Sequence, residues 1–228
     1  DLHDGSLLWT DQLIDIYDKT HISGDKLLIA LDRKNNQEVF VRYLIDNSEV
    51  GSYQLESPVS LSFDRDDRFI LNTEKKIIAL KTEKSFWDRT LLAWEQEFDN
   101  KIDKTYIFDN RIFVITDQGT LWCLDLFSGN IINKNETKLR GLKLWYNNTY
   151  NVLLGFTKSF GLGLNRATGE TIWKKREARI NHPWTTLVDD KILIMDSGEE
   201  NNQILFVNAF NLNTGDLLWS SIEDASPQ

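Results

Sequence analysis

Three histidines (His3, His21, His182) and one cysteine (Cys123) are the whole supply of imidazole and thiol in this 228-residue chain. A metal site built on imidazole needs further ligands at short spacing, and a nucleophilic thiol needs a base beside it. No histidine here has a neighbouring ligand residue, and the patterns HExxH, CxxC and GxSxG do not occur. The string GLGLNRATG at 161–169 is glycine-rich but lacks the strand-to-helix setting of a dinucleotide loop. Two acidic stretches, DRDD at 64–67 and DSGEENN at 196–202, offer the oxygens calcium accepts. Neither has the DxDxDG spacing of a calcium loop, so both read as exposed hairpin turns. Cys123 sits between Trp122 and Leu124 in a predicted strand and reads as a small buried hydrophobe. Alone, it cannot form an internal disulfide, and it says nothing of the redox compartment. No residue is therefore assigned as catalytic, metal-binding or cofactor-binding. The most contact-like set is Arg179, His182 and Trp184, because Arg and Trp are typical anchors of protein interfaces.

The elements that would position such residues are written in a repeat. Residues 1–9 read DLHDGSLLW, 125–133 DLFSGNIIN, 165–173 NRATGETIW and 211–219 NLNTGDLLW. Asp125, Asn165 and Asn211 each open a turn with a side chain able to bond the backbone ahead. Gly5, Gly129, Gly169 and Gly215 supply the positive φ that a turn with a bulge requires. An outgoing apolar strand follows and ends on Trp9, Trp173 or Trp219, rings large enough to fill the space between neighbouring sheets. Two degenerate copies end at Tyr53 and at Trp94, the latter after an insertion. The phrase returns about every 40 residues, the length of a unit of four short antiparallel strands. Segments such as YIFDNRIFVITDQGTLWCLDL at 106–126 parse as strand, turn, strand, turn, strand. Residues 84–97 could form a short helix capped by Ser85, but a strand keeps the repeat in register.

The expectation is an all-β β-propeller of four-stranded antiparallel blades at about 10–55, 56–97, 98–135, 136–176 and 177–221. Residues 1–9 would be a leading strand, the closing hairpin of a preceding blade, and 222–228 would start a further one. The repeat resembles the tryptophan-docking motif of the PQQ-like (quinoprotein dehydrogenase-like) β-propellers. In that family, propellers commonly close with seven or eight blades, so the resemblance implies a piece of a larger propeller or an arc with an open sheet edge; the alternative is that residues 1–9 pair beside the tail in a rudimentary sixth blade. The family includes quinone-cofactor dehydrogenases, and also cofactor-free scaffolds such as the BamB-like lipoproteins of outer-membrane barrel assembly. The dehydrogenases add a vicinal Cys-Cys disulfide, which a chain with one cysteine cannot form. The resemblance accordingly implies a non-catalytic scaffold for protein interaction or sensing, with no cofactor. The alternative is a small-molecule or PQQ-binding domain of quinoprotein type. It also favours an extracytoplasmic location, although the residues themselves leave the compartment unknown.

Composition narrows the partners. A net charge of −9 argues against nucleic acid or an anionic membrane surface, both of which attract a basic face. The basic run Lys174, Lys175, Arg176 and Arg179 reads as a solvated strand end. The expected partner is a protein, met by loops between one blade's last strand and the next blade's first. Those loops are residues 10–19, 97–105 and 176–184. A small molecule is the other candidate, and direct membrane insertion is not expected. Trp173 and Trp219 are both expected to be buried, so that truncating either would cost roughly 3–5 kcal/mol.

Overall fold

The computed structural model describes residues 17–23, 26–33, 36–43, 48–59, 61–65, 68–81, 91–146, 150–157, 160–176, 184–189, 191–197 and 204–224. The expected hairpin at 1–9 and the insertion at 82–90 lie outside them, as do residues 225–228 of the expected blade start at 222–228, whose first three residues belong to the last strand of the fifth sheet. The chain forms two compact units, Asp1–Ile102 and Asp103–Gln228. Among the described residues every regular element is a strand.

The first unit holds two sheets. One comprises β1 (Tyr17–Ser23), β2 (Lys26–Arg33), β3 (Asn36–Tyr43) and β4 (Glu49–Leu55). The other comprises β5 (Leu61–Arg65), β6 (Arg68–Asn72), β7 (Lys76–Lys81) and β8 (Leu92–Glu97). The second unit holds three. They are β9 (Ile102–Phe108), β10 (Arg111–Thr116), β11 (Thr120–Asp125) and β12 (Ile131–Glu136); β13 (Lys143–Trp145), β14 (Val152–Phe156), β15 (Gly161–Asn165) and β16 (Thr171–Lys175); and β17 (Trp184–Val188), β18 (Lys191–Ser197), β19 (Ile204–Asn211) and β20 (Leu217–Asp224). Each sheet is a four-stranded antiparallel meander in chain order, as the repeat implies. The described part of 84–97 is the strand β8, not a helix.

Packing follows from which strands are apolar on both faces. β14 is buried at all five positions, and β10 at every position after Arg111. The outer strand β12 instead alternates between exposed and half-buried residues. Middle strands buried on both faces mean sheets stacked face to face, each interior side chain contributing roughly 1.5–3 kcal/mol. In the first unit one cluster joins Leu28, Val39 and Val41 to Phe69, Leu71 and Leu80 of the next sheet. In the second, Phe113, Ile115 and Cys123 pack on Leu153, Leu162 and Leu164, while Leu154 and Trp173 pack on Phe210 and Leu212.

The repeated phrase is a turn of fixed chemistry. Asp125 Oδ1 accepts from the backbone of Phe127 at 3.1 Å and Ser128 at 2.9 Å. Asn165 Oδ1 does the same for Ala167 and Thr168, and Asn211 Oδ1 for Asn213 and Thr214. The glycine N–H of each turn then bonds the carbonyl of its Asx residue, at 2.9, 2.7 and 2.8 Å. Gly129, Gly169 and Gly215 take φ of 72°, 74° and 69°. A β-bulge follows in the pairing of the third and fourth strands of all five sheets. It places Trp94 opposite Ala79, Asn133 opposite Cys123, Trp173 opposite Gly163 and Trp219 opposite Ala209. In the first sheet the corresponding pair is Gly51 opposite Val41. The residue that stands where tryptophan recurs is therefore Gly51, two positions before Tyr53.

The expected burial holds for Trp173 and fails for Trp219. The Trp173 ring is 7% exposed, and its Nε1 donates to the Leu212 carbonyl at 2.8 Å. It lies between two glycines: a β-carbon on Gly163 would come within 2.1 Å of its Nε1, and one on Gly215 within 2.4 Å of its ring. Gly215 belongs to the turn of the following sheet, so the ring of one sheet rests on the next. Trp219 has no such turn beside it among the described residues and is 45% exposed. Trp173→Ala is expected to destabilise the protein by about 3–5 kcal/mol in urea unfolding, and Trp219→Ala by no more than about 0.5 kcal/mol. Equal losses at both positions would contradict this seating.

Candidate functional site

In the second unit a cleft of about 410 Å³ opens where β9–β12 meets β13–β16, lined by Asp109, Asn110, Arg111, Asn151, Asn165, Arg166 and Ala167. All seven come from the turns that join β9 to β10, β13 to β14 and β15 to β16, or from residues flanking them. Antiparallel alternation puts these turns at the strand ends opposite the loops that connect one sheet to the next. The cleft is thus at the other end of the sheets from the loops 97–105 and 176–184 expected to carry contacts.

One wall is an ion-pair network. Asp109 sits in the left-handed region, with φ of 49°. Its Oδ2 accepts from Arg166 Nε at 2.6 Å and pairs with Nη2 at 2.5 Å, while Oδ1 accepts from the Tyr146 hydroxyl at 2.8 Å. The Arg166 guanidinium lies 5.0 Å from the Tyr146 ring centroid and donates to the Tyr150 carbonyl at 3.3 Å. Tyr146 is itself stacked on Phe108, with centroids 4.8 Å apart. Such a network is rigid because each partner is held from two sides.

Arg111 forms the floor. Its Nε donates to the Ala167 carbonyl at 2.8 Å, and its Nη1 to the Asn110 carbonyl at 2.9 Å and to Asp125 Oδ2 at 3.1 Å. Burial alone would raise the Asp125 carboxyl. Bonds from Ser128 and Phe127 and the Arg111 charge outweigh it and hold the group below its ordinary range. Nearby, burial pushes the Cys123 thiol up to about 11, with the Arg111 charge opposing and Asp125 adding to the shift. The thiol is buried and protonated at neutral pH, in keeping with a packing role against Gly169, where a β-carbon would come within 2.8 Å of its own.

Of the residues expected to make contacts, Arg179 and His182 lie outside the described residues. Trp184 opens β17 and pairs with Met195 across the ladder. The acidic stretches at 64–67 and 196–202 are described only at Asp64, Arg65, Asp196 and Ser197, all in strands. Of the basic run, Lys174 donates to the Thr137 carbonyl, Lys175 pairs with Asp216 at 2.7 Å, and Arg176 is exposed. The cleft residues carried one legible signal. The position after the Asx residue is Leu2, Leu126 and Leu212 in three copies of the phrase but Arg166 in the fourth.

No family model matches the chain, and no curated protein matches it. Solved structures do resemble it. BamB from Moraxella catarrhalis superposes with a TM-score of 0.53 at 19% identity, over 92% of this chain and 78% of that one. A europium-containing methanol dehydrogenase gives 0.51 at 11% identity, over 89% of this chain and 50% of that one. The WD40 domain of Toxoplasma gondii coronin gives 0.56 at 9% identity, over 89% and 57%. The chain therefore spans half the length of the dehydrogenase and little more of the WD40 domain. At such identities the likeness is one of fold. The chain has the β-propeller fold, which it shares with BamB, the methanol dehydrogenase and the WD40 domain.

The Asp125 carboxyl provides a test of the Arg111 pairing. A depressed folded pKa stabilises the protein at pH above the unfolded value of about 3.9, and that stability is lost as pH falls through the folded value. Asn serves the same turn at 165 and 211, so Asp125→Asn keeps the cap and removes the charge. The stability advantage of the wild type over this variant should shrink as pH is lowered below about 4. An advantage unchanged from neutral pH to strong acid, followed by urea denaturation, would remove the ion pair from the account.

Proposed function

We propose that this chain is a non-catalytic β-propeller scaffold that holds protein partners, in an assembly or sensing role at an extracytoplasmic location. The fold-level likeness to BamB and to a WD40 propeller supports a scaffold in coarse outline. One observation carries the reading further, the exposure of Trp219. Trp173, at the same place in the preceding sheet, is closed over by the Asn211–Gly215 turn of its neighbour. Trp219 presents the same ring, on the outermost strand of its sheet, with nothing seated on it among the described residues. The surface beside it is apolar as well, since Leu217 and Leu218 are 47% and 45% exposed. That exposure alone is shared with Ile131 and Ile132 of β12; the open indole is not.

The partner this surface fits is a β-sheet that opens on an Asx–x–x–Gly turn, the chemistry that already closes over Trp173. Such a partner would supply a carbonyl for the indole N–H, a glycine to lie on the ring and a strand to pair with the β20 edge. Arg179, His182 and Trp184, which precede and open β17 of the same sheet, are proposed as a second contact.

A photo-crosslinking residue at position 219, with position 136 on β12 as control, tests the reading in extracts of the source. The expected product is a discrete protein adduct from 219 and not from 136, its crosslinked peptide containing an Asx–x–x–Gly turn. No adduct at 219, together with saturable one-to-one binding of PQQ in the presence of calcium, would replace the scaffold with the quinoprotein alternative.

A further inference from the structure

We propose that a second copy of this chain is the partner that closes over Trp219, presenting residues Asp1, Leu2, His3, Asp4 and Gly5 as the covering turn. The inference rests on the scaffold reading above and names the occupant of its open ring. The junction around Trp173 shows what an occupant needs. Trp173 Nε1 donates to the Leu212 carbonyl at 2.8 Å, and the Leu212 side chain, 1% exposed, packs in the same cluster. Gly215 leaves room for the ring, since a β-carbon there would come within 2.4 Å of it. Two side-chain acceptors hold the turn in shape. Asn211 Oδ1 takes the N–H groups of Asn213 and Thr214, and Thr214 Oγ1 takes that of Asp216.

The sequence that meets these demands is Asx, Leu, any residue, then Ser, Thr or Asp, then Gly. It occurs at 1–5, 125–129 and 211–215 and nowhere else in the chain. Residues 165–169 fail it, because Arg166 stands where leucine is needed. In the copies at 125–129 and 211–215 the leucine is 0% and 1% exposed, so both are already seated within the fold. The copy at 1–5 keeps every determinant. Asp1 and Asp4 supply the acceptors, Leu2 the carbonyl and the apolar contact, and Gly5 the space for the ring. Trp219 stays 45% exposed in the folded chain, so the turn that closes it comes from another molecule.

The flanking residues agree. Around Trp173, Lys175 (two residues after the ring) pairs with Asp216 (the residue after the glycine) at 2.7 Å. The corresponding residues at the proposed contact are Ser221 and Ser6. Two hydroxyls are able to bond each other and bring no like charges together, which suits a chain of net charge −9 meeting its own copy. The ring and the turn lie far apart in sequence, so the contact is heterologous. Each copy that receives a turn still has its own turn to give, and association is not limited by symmetry to one pair.

Sedimentation velocity of the full chain over a range of concentrations reads the contact. The wild type is expected to gain mass with concentration, reaching a dimer or larger. Gly5→Val puts side-chain atoms where the ring must lie, and Trp219→Ala removes the ring. Each variant alone should stay monomeric at concentrations where the wild type associates. Mixed in equal amounts they should form a one-to-one complex and grow no further, because one intact ring then meets one intact turn. That complementation also shows that neither variant has merely unfolded. A wild type that stays monomeric throughout, association that persists in either variant alone, or a mixture that fails to complement would each overturn the second copy as partner. A foreign protein still crosslinked at position 219 would then leave the scaffold reading standing.

Discussion

The three sheets of the second unit hang on a five-residue turn in which an Asx side chain and a left-handed glycine close on each other. The Asx Oδ1 satisfies the two N–H groups that the reversal would otherwise leave bare, and its carbonyl takes the glycine N–H. The glycine conformation then directs the chain into a bulged fourth strand. Because the bulge advances the register by one residue, it decides which side chain stands across from the small residue of the third strand. Local backbone chemistry thus sets the position of the tryptophan, and the absence of a β-carbon on the next turn makes room for its ring. A single glycine, Gly215, serves both purposes: its φ of 69° shapes one sheet and its bare α-carbon receives the ring of another.

The tryptophan is not, however, what holds every pair of sheets together. Asn133 occupies its place in β12, yet β9–β12 and β13–β16 share a cluster of ten buried residues. At roughly 1.5–3 kcal/mol for each large aliphatic side chain, that cluster outweighs any one ring. The junction makes other use of the vacated position. Gly169 packs against Cys123, and Arg166 lies over Tyr146 of its own sheet and reaches Asp109 across the gap. Polar cross-links replace the indole there, and a polar cleft opens beside them.

The fold was legible because its signals are local. Asp125, Asn165 and Asn211 with their glycines could be read as turns before any tertiary contact was known, and the strands between them alternate or run apolar as middle strands must. The degenerate first copy was less readable. Tyr53 has an aromatic ring and lies in the right neighbourhood, but only the bulge shows that Gly51 stands in the tryptophan position. The burial expected of Trp219 fails for a different reason. Its sequence context matches that of Trp173, and burial depends on a neighbour supplied by the next sheet, which the phrase itself does not contain. The cleft depends on distant pairs such as Asp109 with Arg166. Spacing alone cannot show that two turns so far apart in sequence face each other.

The exposed edge at β20 raises a physical difficulty that any scaffold role must answer. A strand with an open indole and two exposed leucines invites indiscriminate pairing. The strand limits that risk by its far end, where the sequence turns to Ser220, Ser221, Glu223 and Asp224. Ser220 is also tied to Asn208 on the neighbouring strand at 2.7 Å, which favours pairing within the sheet. The exposed large apolar side chains of β20 among the described residues are its first three, next to the turn. A partner that pairs there gains most if it also brings a glycine to cover the ring and a carbonyl for its N–H. A generic strand brings neither, so the same turn chemistry that orders the fold internally can discriminate between partners at its edge.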